Sequence, residues 1–258
     1  MKFLVNGVTD IGIKKKNNQD SYCYKVIEST YGEIFFAVLC DGMGGLKKGE
    51  VASATVVKHF SDWAEIKLKE ILSKDDFSDY IIRKEFGDII QSENKKILMY
   101  GKNQGVAIGT TVTVLLIINN KYYVANVGDT RTYEINRNND IRLITHDHSL
   151  VQKEVDNGII TENQAREDSR RNILLQCIGA TRNVTEDIFI GNVEKNTVFV
   201  LATDGFRNKI TNEELINAYK PGNIMDAQTI KQVSNNIIKV VKSRMEMDNI
   251  SVIAVKCC

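Results

Sequence analysis

Three aspartates stand at the ends of apolar runs, each beside a residue that bends the chain. Ile34 to Cys40 is unbroken apolar sequence with β-branched and aromatic members, and it runs straight into Asp41-Gly42-Met43-Gly44-Gly45. Such a run fits a strand buried on both faces. Asp-Gly is by itself a hairpin signal. Here Gly49 to Phe60 follows with apolar residues at helical spacing, so the bend is predicted to lead into a helix. Thr197 to Thr203 is a second apolar run, ending in Asp204-Gly205, and Asp248-Asn249 immediately precedes a third, Ile250 to Val255. With the first two strands running one way and the last antiparallel, the three carboxylates meet at one edge. Carboxylates brought together repel each other unless cations lie between them. Oxygen-only ligands select a hard divalent ion, Mg²⁺ or Mn²⁺. The alternative is three unrelated turn aspartates.

The rest of the composition excludes more than it selects. The 258 residues carry a formal net charge of +1, which gives no global field toward nucleic acid or an acidic membrane. No leading apolar signal segment is read, and no apolar run is long enough to span a bilayer. Five cysteines, none in a C-x-x-C pair, argue against a disulfide framework or zinc site and fit reduced thiols in a cytoplasm. Cys40 beside Asp41 reads as a small buried apolar residue. The length allows one large domain or two small ones, and Pro221, the single proline, leaves no Pro-rich linker.

The elements that must position these aspartates follow in order. Phe3 to Gly12 is a predicted strand, Lys14 to Asp20 a polar loop, and Asp20 to Glu28 a second strand. Gly49 to Leu72 and Asp76 to Tyr100 carry apolar stripes at helical spacing and read as covers for a sheet. Trp63 on the first is read as core. Gly109 to Ile118 and Lys121 to Val127 form a hairpin about Asn119-Asn120. Asp129 then falls inside β sequence, where Asp is disfavoured, which suggests a bulge that re-aims a side chain or else an exposed edge position. Thr132 to Asn136 and Ile141 to Thr145 continue the β block. His146-Asp147-His148 closes it, with too few other histidines for a His-rich zinc site. Ser149 to Gly179 is irregular, with a capping box at Thr161 to Gln164, and suits either a flap or a surface connector. Glu186 to Val193 and Thr197 to Thr203 are strands. Asn212 to Tyr219, capped by Thr211 and Glu214, and Ala227 to Met245 are helices. Roughly ten strands clustered next to strands, with two pairs of inserted helices, predict an α+β fold. Its form is a four-layer α/β/β/α sandwich of mostly antiparallel sheets.

Eight ordered pieces carry a resemblance: Asn18-Gln19-Asp20, Asp41 to Gly45, Gly49 to Ser53, Gly109-Thr110-Thr111, Asn126 to Arg131, Thr145 to Ser149, Ala202 to Phe206, and Asp248 to Ser251. Together they resemble the metal-dependent protein serine/threonine phosphatases of the PPM (type 2C) family in their compact bacterial form. The resemblance covers essentially the whole chain, residues 1–258, as one phosphatase domain with a metal cleft at one end and a flap over about 149–179. It implies hydrolysis of phosphoserine and phosphothreonine in proteins by a metal-activated water, with Mn²⁺ or Mg²⁺ as two core ions and a weaker third. Asp41 is then the bridging ligand, Gly42 a carbonyl ligand, and Asp204 and Asp248 ligands of the other ion. Asp20 holds a metal-bound water, and Asp129 binds the third ion with Asp204. Asn249 would orient water or phosphate.

Two positions depart from the family pattern. Lys15 stands where a phosphate-holding Arg is usual, with Lys14 and Lys16 as substitutes if the loop shifts by one residue. Gln19 stands where Glu is usual, which removes a charge and weakens the second metal. The implied partners are phosphoprotein substrates and an opposing Ser/Thr kinase, with no nucleic acid or membrane, for a cytoplasmic monomer. The rival readings are a non-catalytic phosphoprotein-binding module of the same fold, and another two-metal hydrolase such as a nuclease. The presence of Asp41, Asp204 and Asp248 argues against the first, and the lack of a basic track against the second.

Overall fold

The computed structural model describes residues 1–44, 48–74 and 77–258. Gly45, at the end of the glycine-rich bend, and Asp76, where a helix was predicted to start, lie outside them. Among the described residues the strands are β1 (Phe3–Asp10), β2 (Asp20–Ser29), β3 (Gly32–Gly44), β4 (Ile108–Thr110), β5 (Val112–Ile118), β6 (Lys121–Val127), β7 (Arg131–Ile135), β8 (Ile141–Leu143), β9 (Asp187–Asn192), β10 (Thr197–Ala202) and β11 (Ile250–Cys257). One sheet has the order β1-β11-β10-β7-β8. The other has the order β2-β3-β5-β6-β9, with β4 paired to the far end of β3. Every pairing is antiparallel.

The unbroken apolar run of β3 is explained by what lies on its two faces. Ile34, Phe36, Val38 and Cys40 pack with α1 (Gly49–Asp62) and α3 (Asp79–Gln104). Phe35, Ala37 and Leu39 instead meet Phe199, Leu201, Ile253 and Val255 of the facing sheet. A strand has a side-chain period of two, so a strand between two apolar layers needs apolar residues at every position. The outer face of the β1-β11-β10-β7-β8 sheet packs Val198, Val200, Val252 and Ala254 against α7 (Asn212–Tyr219) and α8 (Ala227–Ser243). The four predicted layers are therefore present. Trp63 is core as expected: its ring lies 5.2 Å from that of Phe86, and its indole N–H donates to Glu85 at 2.9 Å.

Three differences from the predicted elements matter for the site. The strand does not stop at Asp41. β3 continues to Gly44 because Gly42, Met43 and Gly44 find pairing partners in Thr110, Gly109 and Ile108 of β4. The predicted strand from Gly109 to Ile118 is accordingly split at Thr111. Gly128 to Thr130 is not a bulge within one sheet. It is the crossing between β6 in one sheet and β7 in the other, turned by a left-handed φ of 109° at Gly128 that glycine adopts without strain. The first cover helix is interrupted by a π turn at Trp63–Lys67 before α2 (Leu68–Ser73). Between β8 and β9 the chain forms α4 (Leu150–Asp156) and α5 (Glu162–Glu167), the second with the expected Thr161–Gln164 capping box.

Candidate active site

The register of β2 against β3 sets Asp20 directly opposite Asp41. Opposite residues of an antiparallel pair point to the same face. The alternation through Phe35, Ala37 and Leu39 makes that the face between the sheets. Two like charges opposite each other destabilise a sheet unless something compensates them. For Asp20, 8 % exposed, part of the compensation comes from the other sheet. Its Oδ2 accepts from Ser251 Oγ at 2.6 Å and from Thr203 Oγ1 at 3.3 Å. Its Oδ1 is buried with no hydrogen-bond partner. The pair is thus built into the strand register, and it closes one end of the sandwich.

Threonines of the split strand fix the backbone of Asp41. Asp41 N–H donates to Thr111 Oγ1 at 2.9 Å, while its carbonyl accepts from Thr111 N–H and Thr110 Oγ1, each at 2.9 Å. Gly42 N–H donates to the Gln19 carbonyl at 3.1 Å. A Cβ on Gly42 would run into the backbone of Gly49 and Gln19, so only glycine permits this approach. Ser53 Oγ donates to the same Gln19 carbonyl at 2.6 Å. The Gln19 side chain points away to Glu50, donating at 3.2 Å.

Asp204 opens α6 (Asp204–Arg207) directly after β10, and Asp248 precedes β11. Asp204 is 7 % exposed, and its Oδ1 is the second buried carboxylate oxygen of the site without a partner. Asp248 Oδ1 pairs with Lys15 Nζ at 2.7 Å. Of the three adjacent lysines, Lys15 is the one held in an ion pair at the site. Burial, then the charge of Asp248, pushes the Asp20 carboxyl up to about 7. Burial with the charges of Asp129 and Asp248 pushes Asp204 up to about 8. Asp41 is raised well above the usual carboxylate range by burial and by the fields of Asp20, Asp204, Asp129 and Asp248. Burial works to lower the Lys15 ammonium, but the hydrogen bond and charge of Asp248 outweigh it and the net direction is upward.

These carboxylates share one field without converging on a point. Among the described residues, no three His, Cys, Asp or Glu side chains reach metal-ligand spacing. Asp248 is turned to Lys15 and Asp129 to Arg207. The donor set nevertheless suits hard divalent cations: the oxygens are carboxylate, and two of them are buried and unsatisfied. Residues Asp20, Asp41, Asp204 and Asp248, with the Gly42 carbonyl, are those that could hold two ions.

Two site expectations change. Asn249, 2 % exposed, does not face a substrate. Its side-chain oxygen accepts from Gln19 N–H at 2.9 Å, and its amide donates to the carbonyls of Ile11 and Asn17 at 3.0 and 3.1 Å. All its amide groups are committed to the loop carrying Lys15, so it positions that loop. We expect Asn249→Ala to cost about 3 kcal/mol in urea unfolding, from three lost bonds and the buried groups they leave behind. An unchanged midpoint would contradict this role. Asp129, expected to bind a third ion, is paired with Arg207. Arg207 also reaches Asp147, which Arg131 grips with two bonds at 2.8 and 2.9 Å. Burial opposes ionisation of Asp147, but Arg207 and Arg131 outweigh it and hold its carboxyl below the usual range. His146 pairs with Asp156, and His148 lies between Gly128 N–H and Asp187, so the His-Asp-His run points three ways. The supporting roles of Thr110, Thr111, Ser251 and Arg207 carry no mark in composition or periodicity. The repeated Thr after Gly109 was the nearest signal.

The stacked antiparallel sheets, with a carboxylate cluster at one end, define the type 2C class of protein phosphatase. Residues 13–239 match the family model described as protein phosphatase 2C, and the chain belongs to that family, whose members are hydrolases. A putative protein phosphatase 2C-type of Streptococcus pyogenes is 30 % identical over 246 residues, covering 95 % of this chain and 93 % of the relative. The serine/threonine phosphatase stp of Listeria welshimeri is 31 % identical over 222 residues, covering 85 % and 83 %. The solved S. agalactiae serine/threonine phosphatase superposes with a TM-score of 0.84 at 30 % identity, covering 100 % of both chains.

Proposed function

We propose that this protein phosphatase hydrolyses phosphoserine and phosphothreonine esters at the end of the sandwich where Asp20 and Asp41 face each other. The supporting observation is that pair, set by strand register between two sheets, with buried carboxylate oxygens on Asp20 and Asp204 that have no partner. Bound there, two Mn²⁺ or Mg²⁺ ions would supply positive charge to the phosphoryl oxygens and acidify the attacking water. Asp41, the Gly42 carbonyl, Asp204 and Asp248 would hold these ions, and Asp20 would hold a water from the opposite strand. The loop pinned by Asn249 brings the Lys15 ammonium to the phosphate, where a point charge attracts without fixing orientation. The whole chain, residues 1–258, serves as one phosphatase domain, acting as a monomer on phosphoproteins opposite a Ser/Thr kinase. All five cysteines are free, which suits the reducing cytoplasm. No helix among the described residues is long and apolar enough to cross a membrane.

The Lys15 role is open to direct test. Lys15→Ala should lower kcat/KM by roughly tenfold, about 1–2 kcal/mol as for a hydrogen bond to a charged group. The loss should lie mainly in KM for a phosphothreonine peptide. Lys14→Ala and Lys16→Ala should stay within twofold of the parent. Equal small effects in all three would remove Lys15 from the site. Tight binding of phosphopeptide with no phosphate released at any Mn²⁺ concentration would favour the non-catalytic reading.

A further inference from the structure

Arg207 is the last residue of the short helix that begins at Asp204, so one turn carries both a site carboxylate and a guanidinium. A single terminal nitrogen of that guanidinium contacts the Asp129 carbonyl at 2.9 Å, the Asp129 carboxylate at 3.4 Å and Asp147 Oδ2 at 3.2 Å. All three side chains are shielded, at 12 % exposure for Arg207, 9 % for Asp129 and 6 % for Asp147. Asp147 is simultaneously held by Arg131, so two arginines and two aspartates form one cluster with two groups of each sign. The other terminal nitrogen of Arg207 is bound to Asn208, which sits on the same turn and hydrogen-bonds Asp204 at 3.5 Å.

We propose that Arg207 is a built-in counter-cation for Asp129 and takes the place of the third metal ion that the family resemblance leads one to expect there. A divalent ion on Asp129 would lie against a guanidinium that is 12 % exposed, where like charges are poorly screened. Removing Arg207 from Asp129 would strip Asp147 of one of its two partners and leave a buried positive group poorly paired. The Asp129 carboxylate thus already has a cation, whereas Asp20 and Asp204 each keep a buried oxygen without a partner. The chain therefore works with two ions, and position 207 sets that number.

The inference rests on the two-ion reading, and one experiment separates the two. Mn²⁺ binding to the metal-stripped full chain is counted by equilibrium dialysis and by EPR of free Mn²⁺, over a range reaching millimolar. Wild type should bind two ions, and D129N should bind the same two with affinities within twofold. R207Q keeps an amide donor for the Asp129 carbonyl and Asp147 but removes the charge. It should bind a further ion at least tenfold more tightly than any residual site in wild type, and R207Q/D129N should lose that ion. A third ion in wild type that D129N removes would overturn the proposal, as would a folded R207Q with no gain. Should R207Q not fold, the comparison of wild type with D129N still decides. Failure of wild type to take up any Mn²⁺ would instead sink the two-ion reading, and with it the premise of this one.

Discussion

Asp41→Asn and Asp204→Asn are each expected to lower kcat/KM on phosphothreonine peptide by on the order of 10³-fold or more, about 4 kcal/mol of transition-state stabilisation. The two aspartates reach the site by independent routes. Asp41 lies within β3, with its backbone clamped by Thr110 and Thr111. Asp204 opens a helical turn after β10, in the other sheet. An amide keeps the size and one oxygen of each side chain but removes the charge that would hold a cation. The loss should therefore appear in turnover with the fold intact. The substitutions should even stabilise the metal-stripped protein, because each removes one member of a mutually repelling group. Thermal unfolding in EDTA reads this directly. A variant that keeps wild-type turnover, or that unfolds outright, would remove that residue from the proposed role.

The metal-stripped protein is expected to lose stability as pH rises through neutrality, the reverse of the usual behaviour of a carboxylate-rich surface. Asp20 and Asp204 titrate at about 7 and about 8 in the fold, against 3.8 for an ordinary aspartate. A carboxyl raised on folding binds a proton more tightly in the native state than in the unfolded chain. Its contribution is complete below about 4 and is lost as pH climbs through the folded value. Between about pH 5 and pH 8 the midpoint in EDTA should therefore fall, on the order of 10 °C for several kcal/mol in a chain of this size. Asp147 acts oppositely, since its lowered carboxyl gives stability that disappears on acidification. Mn²⁺ binds the deprotonated carboxylates, so it should raise the midpoint more at pH 8 than at pH 5. Asp20→Asn should flatten the profile in EDTA. A wild-type midpoint that is level or rises from pH 5 to pH 8 without metal would contradict this assignment.

Much of the fold could be read from the chain, because the signals were local. Ile34 to Cys40 announced a strand covered on both faces, and the stripes along 49–72 and 76–100 announced its cover helices. Asp41, Asp204 and Asp248 were visible as acids at the ends of apolar runs, and the offset from Asp20 singled out Lys15, whose ammonium pairs with Asp248. What could not be read depends on partners distant in sequence. The extension of β3 to Gly44 needs β4, some sixty residues on, to pair with it. The Asp20–Asp41 opposition depends on the register of one hairpin, and Ser251 reaches Asp20 only once the sheets are stacked. Asn249 looked like a substrate contact because it sits beside Asp248, but a one-residue step sends its side chain into the loop instead. Arg207 is an ordinary arginine in sequence and acquires its role when α6 meets the crossing from β6 to β7.

The most direct test of the central claim is the initial rate of phosphate release from a phosphothreonine peptide. It is measured before metal removal, after dialysis against EDTA, and after Mn²⁺ is restored. Hydrolysis at the Asp20–Asp41 end with bound cations predicts that activity disappears on dialysis and returns with Mn²⁺, and that Mn²⁺ restores none to Asp204→Asn. Undiminished turnover in EDTA by the wild-type protein would contradict it.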